Sequence, residues 1–510
     1  MPEYLSPGVY VEEIEIGSKP IEGVGTSTVG FLGETERGPT EPRLITSWLQ
    51  FVRVYGEHFA QQHVSPYLPY AVEGFFANSG ARCYVARVVA IDAGTASTKL
   101  TKDGSNCLTV KAVGEGSWGE RIGIKVGEGT FSTTPDPLFK LTVYYWKTGT
   151  VDTSAPDKTA DIIEVFDDLS VESTSDNYYE NKVNGISNLI ILSQEAGDAG
   201  ETSNGPSDVT ALSGGGDGTL PIDDGDYKRI NTDIPGQRRG LTAFNEIDEI
   251  TILYAPNPDD NLTTALITHC EVLKDRFAII DADKGMSNKN DIKPRDNNET
   301  KYAAYYYPWI KVYDPLTKLN KLVPPGGHVA GIYARSDMER GVHKAPANEV
   351  VKGATALEFQ ITKGEQDILN PRGVNCIRAF PGRGIRVWGA RTLSSNTLWK
   401  YINVRRLFIF LEESIEEGTQ WVVFEPNNEK LWGRVRATVT EFLARVWRDG
   451  ALMGTKAEEA FFVKCDRTTM TQDDIDNGRL ICLIGVAPVK PAEFVIFRIA
   501  QWAGGSSVTE

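Results

Sequence analysis

Residues 28–32 are Thr-Val-Gly-Phe-Leu, and residues 83–89 are Cys-Tyr-Val-Ala-Arg-Val-Val. Between these two apolar runs lie an amphipathic stretch at residues 48–59 and a second helix-like stretch at residues 68–77. Strands that alternate with helices indicate an α/β layer. The same character returns in three later runs, which predicts that the chain re-enters this first core. These runs are residues 250–254, 277–281 and 330–333.

Changes in composition along the chain predict a multidomain protein of mixed α/β (α+β) class. At 510 residues the chain is long enough to form several hydrophobic cores. A stretch rich in Thr, Ser, Asp and Gly with short β-like runs indicates a β-rich inserted domain. The predicted segments are an N-terminal arm (1–25), a first core part (26–90), the insertion (91–244), a second core part (245–370), a C-terminal domain (371–490) and a C-terminal arm (491–510).

Both ends of the chain predict strands that lack a neighbour nearby in sequence. Near the start, Val9 and Val11 alternate with Tyr10 and Glu12 between breaker residues. Near the end, a run that is apolar on both faces is typical of a strand inside a sheet. That run is Phe494, Val495, Ile496 and Phe497. We expect both segments to pair with distant residues or with another molecule.

Composition limits the classes of function. The formal net charge of −16 argues against binding nucleic acid directly. Membrane insertion is not expected either, because the most apolar segment, residues 480–489, is about half the length of a membrane-spanning helix; it predicts a buried strand. The first residues do not resemble a cleaved signal, so folding in the cytosol is expected. Six dispersed cysteines predict reduced thiols.

Catalytic, cofactor and metal motifs are missing from the sequence. There is no phosphate-binding loop, no H-E-x-x-H and no G-x-S-x-G. Of the five histidines, His58 and His63 are spaced too far apart to share one helical face. The run Gly214–Gly218, followed by three aspartates, resembles a calcium-binding turn but occurs once, which favours a simple loop. We therefore predict no catalytic residue, no cofactor and no metal.

Arginines gather in two places near the C-terminus. The spacing of apolar residues from Trp432 to Val446 predicts a helix with one stripe facing a core, and four arginines lie largely off this stripe. These candidates for contact with an acidic partner are Arg434, Arg436, Arg445 and Arg448. A second basic cluster is also expected to bind an acidic protein surface. It consists of Arg378, Arg383, Arg386, Arg391, Arg405 and Arg406.

Several ordered motifs resemble the phage tail sheath family, including the sheaths of extracellular contractile injection systems. The resemblance spans both ends and about 180 residues between them. Its motifs are SPGVYVEE (6–13), VPPGGHVAGIYAR (323–335), KAPAN (344–348), GVN (373–375), WGART (388–392), YINVRR (401–406), FEPN (424–427) and the APVKPAEFV segment (487–495). Residues 91–225 match weakly, as expected of a variable outer domain.

The resemblance implies a structural subunit that polymerises helically around an inner tube and contracts without nucleotide. Its arms exchange strands with neighbouring copies, and baseplate and terminal cap proteins are further partners. Gly17, Gly23 and Gly25 are predicted as hinges, and the four helix arginines as the face toward the tube. A tail or tail-like particle, assembled in the cytoplasm of the producing cell, is the expected location. The alternatives are another shell component of the same machine or a cytosolic enzyme with a site in the insertion.

Overall fold

The computed structural model describes residues 20–60, 66–102, 105–132, 138–194, 208–229 and 234–498. The described residues form two compact units. Residues 25–409 make the core unit, and residues 20–24 with 410–498 make the terminal unit.

The strands are short and follow one another closely in the chain. They are β1 (Val29–Gly33), β2 (Arg43–Ile45), β3 (Cys83–Arg87), β4 (Ser97–Lys102), β5 (Ser105–Ala112), β6 (Ile122–Glu128), β7 (Phe139–Tyr145), β8 (Ile162–Leu169), β9 (Ile190–Ser193), β10 (Thr210–Ala211), β11 (Ile252–Tyr254), β12 (Phe277–Asp281), β13 (Ala303–Tyr307), β14 (Ile310–Tyr313), β15 (Asn320–Val323), β16 (Ala356–Leu357), β17 (Val374–Phe380), β18 (Gly384–Val387), β19 (Phe461–Lys464) and β20 (Leu483–Val486).

The helices range from single turns to twenty residues. They are α1 (Trp48–Tyr55), α2 (Leu68–Ala77), α3 (Pro156–Thr159), α4 (Tyr179–Val183), α5 (Asp224–Lys228), α6 (Asp260–Leu273), α7 (Gly326–Arg340), α8 (Lys363–Leu369), α9 (Ile402–Gly418), α10 (Glu429–Arg448), α11 (Ala457–Ala460) and α12 (Gln472–Asp476). Within the described ranges, every helix is too short or too polar to cross a bilayer.

An eight-stranded sheet organises the core unit. Its order is β18-β17-β13-β12-β11-β1-β3-β2. The six inner strands run parallel, and an antiparallel strand closes each edge. Every residue of β1 and β12 is buried, as continuous apolar runs in parallel sheets require. The predicted mixed α/β class is confirmed.

Helices α2 and α7 pack closely because glycines line their contact. A Cβ atom at Gly327 would lie 2.4 Å from the Cα of Ala71, and one at Gly331 would lie 2.5 Å from the carbonyl oxygen of Phe75. The Phe75 ring in turn meets Phe31 of β1 edge-on, with centroids 5.5 Å apart. The apolar run 330–333, grouped above with strands, therefore lies inside α7, where it is buried on all sides.

Two antiparallel sheets form a second hydrophobic cluster within residues 96–212. Their orders are β10-β6-β7-β8 and β4-β5-β9. Trp118 and Tyr145 meet edge-on in this cluster, with ring centroids 6.2 Å apart. The run Gly214–Gly218 and the aspartates after it stabilise loops and a helix end. Asp217 accepts hydrogen bonds from Ser117, and Asp223 caps the N-terminus of α5. The assignment of residues 91–244 to an outer domain stays a prediction.

The predicted domain boundary at residue 371 is wrong for the strands that follow it. β17 pairs in parallel with β13, and β18 closes the edge, so both belong to the core sheet. The side chain of Asn375 reinforces this pairing by donating to the carbonyl of Tyr305. Residues 394–398 follow these strands and precede α9, which begins at Ile402. Ser394 and Asn396 accept bonds from local backbone N–H groups, which favours turns over helix there.

Candidate functional site

The terminal unit contains a two-stranded antiparallel sheet whose outer edges have no neighbouring strand among the described residues. β19 pairs with β20 in a register that places Phe461 opposite Val486 and Lys464 opposite Leu483. We call this pair the open sheet. Two-stranded sheets are marginal by themselves, and exposed edges present unpaired backbone groups to other chains.

One face of the open sheet is covered and the other is exposed. Phe461 is buried in β19, whereas Phe462 and Leu483 are about half exposed. Gly485 lies opposite Phe462, and a Cβ there would lie 2.2 Å from the Phe462 ring. The prediction of a buried strand over residues 480–489 is therefore wrong: the strand is shorter and half-buried, because it has one partner instead of two.

The C-terminal run predicted as an arm strand is exposed and lies outside every helix and strand. Phe494, Val495, Ile496 and Phe497 have exposed fractions between 68% and 83%. Four consecutive large apolar side chains at this exposure form a patch that is typical of a binding segment. Their role in contacts between subunits stays a prediction.

The N-terminal arm strand lies outside the described residues, as does Gly17. The segment that follows it is packed into the terminal unit. Ile21 is fully buried, and a Cβ at Gly418 would lie 2.6 Å from its side chain. The Val24 N–H donates to Ser414 Oγ at 3.1 Å. A Cβ at Gly23 would lie 2.9 Å from the Phe410 ring, so this predicted hinge sits in a packed contact.

Gly25, the third predicted hinge, has open space around its Cβ position. It is also the first residue of the core unit. Space of this kind is compatible with backbone movement, and the hinge role stays a prediction for Gly25.

The four arginines predicted to face the tube do not form one surface. A helix turns about 100° per residue, which places Arg436 on one flank of α10 and the other three on the opposite flank. Arg434 stacks on the Trp421 ring at 4.4 Å, and Arg445 donates to the carbonyl of Ile21. Only Arg436 and Arg448 of this set are exposed.

The second basic cluster is largely interior, so its predicted role as a binding surface is wrong. Arg406 and Asp337 form an ion pair at 2.6 Å, with both side chains 3% exposed. Arg406 also donates to the carbonyl of Thr26, and Arg405 is enclosed by aromatic rings. These arginines connect segments of the core unit. Arg383 is exposed and Arg386 is half-buried, and both donate to Asn348.

Several titratable groups of the core unit are buried. The described residues contain no group of three His, Cys, Asp or Glu suited to a metal ion. Burial lowers the pKa of His328 to about 4, and burial with the nearby charge of Arg276 lowers that of His269 to about 4. His58 contacts Glu73 at 3.1 Å, and His63 lies outside the described residues.

A mixed-charge cleft of about 620 Å³ opens beside β1, lined in part by Glu34, His58, Arg87 and Asp217. Burial raises the pKa of Glu34 to about 7, against the opposing effects of a hydrogen bond from Tyr227 and the charge of Arg87. Acidic and basic side chains alternate along its wall, so no single ligand charge is favoured.

Comparison with known protein families identifies the family of this chain. A model of the phage tail sheath protein central domain matches residues 231–393, and a model of the phage tail sheath C-terminal domain matches residues 394–501. The two matches are adjacent and together cover more than half of the chain. This chain belongs to the phage tail sheath family. The recognition made from the motifs is confirmed.

Similar sheath proteins come from several phages. The tail sheath protein of Burkholderia phage BcepMu is 31% identical over 170 residues, which is 32% of this chain and 36% of that protein. The tail sheath protein of Vibrio phage KVP40 is 27% identical over 218 residues, which is 42% of this chain and 32% of that protein. The matched region thus spans about a third of these two relatives.

Solved structures extend the similarity to nearly the whole chain. The sheath complex of an extracellular contractile injection system named PVC, in its contracted state, is 25% identical with a TM-score of 0.59, covering 98% of this chain and 99% of that one. The helical sheath of the anti-feeding prophage, also contracted, gives the same identity and TM-score over 97% and 99%.

In the open sheet, β20 lies within the predicted run 480–489, whereas β19 was not predicted from the sequence. The two strands have only four residues each, which is too short for a clear alternation. A usable signal was present in the pattern Phe-Phe-Val-Lys at residues 461–464, where large apolar residues lie on both sides of a short run.

Proposed function

We propose that this chain is the subunit of a contractile sheath, which polymerises helically around an inner tube and drives it through a target envelope. The main supporting observation is that the terminal unit contains both a sheet without outer strands in the described part of the chain and an exposed apolar segment of strand-like composition. Each half of this combination supplies what the other lacks. Strand exchange between copies of the chain would give the sheet an outer strand and would bury the apolar segment.

Strand addition accounts for the composition of both surfaces. The segment 491–498 carries one acidic and one basic residue, and the open sheet carries one lysine. Contact between them therefore costs little electrostatic repulsion, although each chain has a net charge of −16. Burying a large apolar side chain contributes about 1.5–3 kcal/mol, so four exposed residues supply on the order of 5 kcal/mol. Backbone hydrogen bonds add to this.

The N-terminal arm is proposed to occupy the second edge of the same sheet. The packing of Ile21 anchors the segment that precedes the core unit, so an arm extending from it stays tied to its own subunit. A neighbour that captures both arms is then linked at two points. Head-to-tail contacts of this type generate open helical polymers.

Contraction is proposed as a rigid-body change between two packings of these subunits, with the arms still engaged. The work comes from the difference in buried area, so neither nucleotide nor enzymatic activity is required. The inner tube, baseplate and terminal cap proteins are the proposed partners. Assembly takes place in the cytoplasm of the producing cell, and the product is a phage tail or tail-like particle.

The test is to remove residues 491–510 and image particles by electron microscopy. We expect a folded chain that forms no regular sheath. The matched control is Val272→Ser, which alters a similarly exposed apolar residue on α6 of the core unit and is expected to leave assembly intact. Normal contractile sheaths from the truncated chain would overturn the proposal.

A further inference from the structure

The register of the open sheet brings two cysteines together at its end. Ala487 donates its N–H to the carbonyl of Ala460, which marks this pair as hydrogen-bonded. Hydrogen-bonded and non-hydrogen-bonded pairs alternate along antiparallel strands. Counting from that pair makes Lys464 and Leu483 hydrogen-bonded. The next pair, Cys465 with Cys482, is therefore of the non-hydrogen-bonded kind.

This type of pair suits a disulfide. Residues opposite each other at non-hydrogen-bonded positions have Cα atoms about 4.5 Å apart, and disulfides require about 4.4–6.8 Å. The two thiols already lie within hydrogen-bonding reach of each other. Cys465 is buried and Cys482 is half-buried, so an external reagent reaches Cys482 more easily.

We propose that Cys465 and Cys482 form a thiol–disulfide modification site that covalently joins the ends of β19 and β20. The oxidant is a small-molecule disulfide. The thiolate of Cys482 attacks one sulfur of this reagent, and a mixed disulfide forms as one reagent thiolate leaves. Cys465 then attacks the sulfur of Cys482, and the second reagent thiolate leaves. The protein loses two electrons and two protons, and the reagent is reduced to two thiols.

The surroundings of the pair set the rate of this reaction. Burial raises the pKa of Cys482 to about 12, with a further contribution from Cys465. Burial also raises the pKa of Cys465, while the contact with Cys482 and the charge of Arg436 on α10 act in the opposite direction and Asp466 acts with burial. Since the thiolate is the nucleophile, the pair is expected to react slowly at neutral pH and faster at alkaline pH.

The modification leaves the edges of the open sheet accessible. A cross-strand disulfide links side chains and consumes no backbone N–H or carbonyl on the outer edges. It closes a loop of residues 466–481 and so restricts fraying of the strand ends. A reducing cytosol keeps the pair as thiols, and an oxidising exterior favours the bond. The chemistry does not depend on the proposed sheath function.

The experiment incubates the full chain with excess oxidised glutathione at alkaline pH, then counts thiols after denaturation and maps peptides by mass spectrometry. The chain has six cysteines, so we expect the count to fall from six to four, with Cys465 joined to Cys482. The oxidised chain should unfold at a higher temperature, and a reducing agent should reverse both changes.

Variants distinguish this pair from the other thiols. Cys270→Ser alters a buried cysteine of the core unit and should retain the loss of two thiols. Cys465→Ser should stop at a mixed disulfide of glutathione with Cys482, visible as a mass adduct. Six thiols remaining in the oxidised wild type, or a cross-link that joins other cysteines or two chains, would overturn the proposal.

Discussion

The eight-stranded sheet of the core unit and the open sheet of the terminal unit differ in how far one chain completes them. In the first sheet, parallel strands are buried on both faces and an antiparallel strand lies at each edge. In the second, two strands of four residues have no further strand beside them among the described residues, and one face is exposed. The core sheet therefore obtains its stability within the chain. Under the proposed function, the open sheet is completed by strands from neighbouring copies.

Charged side chains also differ between the two units, with a buried ion pair in the core unit and exposed arginines in the terminal unit. The core unit encloses Arg406 and Asp337 as an ion pair with additional contacts to Thr26 and Tyr333. In the terminal unit, Arg436 and Arg448 remain exposed. Buried pairs are sensitive to the loss of one partner, whereas exposed charges are tolerant of substitution. The comparison predicts where stability and where assembly will respond to mutation.

The largest effect is expected for Arg406→Met. Removing the guanidinium leaves the carboxylate of Asp337 buried and uncompensated, which costs about 3–5 kcal/mol. Denaturant unfolding of the full chain measures this loss. Arg448→Met, an exposed arginine on α10, is the control and should change stability by less than about 0.5 kcal/mol.

The double variant Arg406→Met with Asp337→Leu separates charge from packing. It should recover part of the loss, because no buried charge remains without a partner. A loss below about 1 kcal/mol for Arg406→Met would show that the pair is not a stabilising element of the core unit.

Protonation of His269 is expected to destabilise the core unit at acid pH, against the opposite effect of two buried carboxyl groups, while residues 410–498 contain no histidine. The folded-state pKa of His269 is about 4, below the ordinary 6.5. The unfolded chain therefore binds more protons between these values, and stability falls as the pH drops from 6.5 toward 4. Between pH 6.5 and about pH 5 the loss is about 2 kcal/mol for this residue.

His269→Gln isolates that contribution. Glu34 and Asp281 act in the opposite direction, since burial raises the pKa of each to about 7 and the fold then retains their protons. The free energy of unfolding is measured for wild type and variant at pH 6.5 and about pH 5. The contributions of Glu34 and Asp281 are the same in both proteins and cancel when the two pH dependences are compared. Parallel pH dependences for the two proteins would contradict the assignment.

Sequence patterns predicted best the elements that need no distant partner. The bounds of α2 and of β12 agree with the predicted runs, since local periodicity or continuous apolarity determines them. Arg406 was misassigned to a surface because its partners, Asp337 and Thr26, are 69 and 380 residues away. Nothing in the local pattern of an arginine records such a partner.

Of the candidate site, the apolar C-terminal segment was predictable from the sequence. The apolar character of residues 494–497 on both faces was evident, and the structure places all four at the surface. The strand β19, which is half of the proposed acceptor, was missed because a four-residue strand gives little periodicity and because its exposed face makes an edge strand resemble a loop.

A smaller effect of opposite sign is expected at Phe424. This residue is fully exposed and has φ of +66°, a conformation that costs a bulky L-residue about 1–2 kcal/mol. Phe424→Gly should therefore stabilise the terminal unit by about 1 kcal/mol, measured by thermal unfolding. Val423→Gly, at an ordinary φ of −65°, is the matched control and should not stabilise it. Equal responses would contradict the strain argument.

The smallest effect on stability, and the most direct test of the comparison, is expected for Leu483→Thr. Leu483 lies on the exposed face of the open sheet, so the dilute chain loses little burial and should change by less than about 0.5 kcal/mol. Ile279→Thr, in fully buried β12, should cost several times more because it places a hydroxyl in an apolar interior.

The same Leu483→Thr chain should nevertheless form fewer particles under the proposed function, because a neighbour's strand added at the edge of the open sheet would pack its side chains beside residue 483. We therefore expect the variant to keep the stability of the dilute chain while its particle yield, counted by electron microscopy, falls. If Leu483→Thr destabilised the dilute chain as much as Ile279→Thr, the open sheet would already be complete within one chain. A strand from a neighbouring copy would then not be needed to complete the sheet, which would contradict the proposed strand exchange.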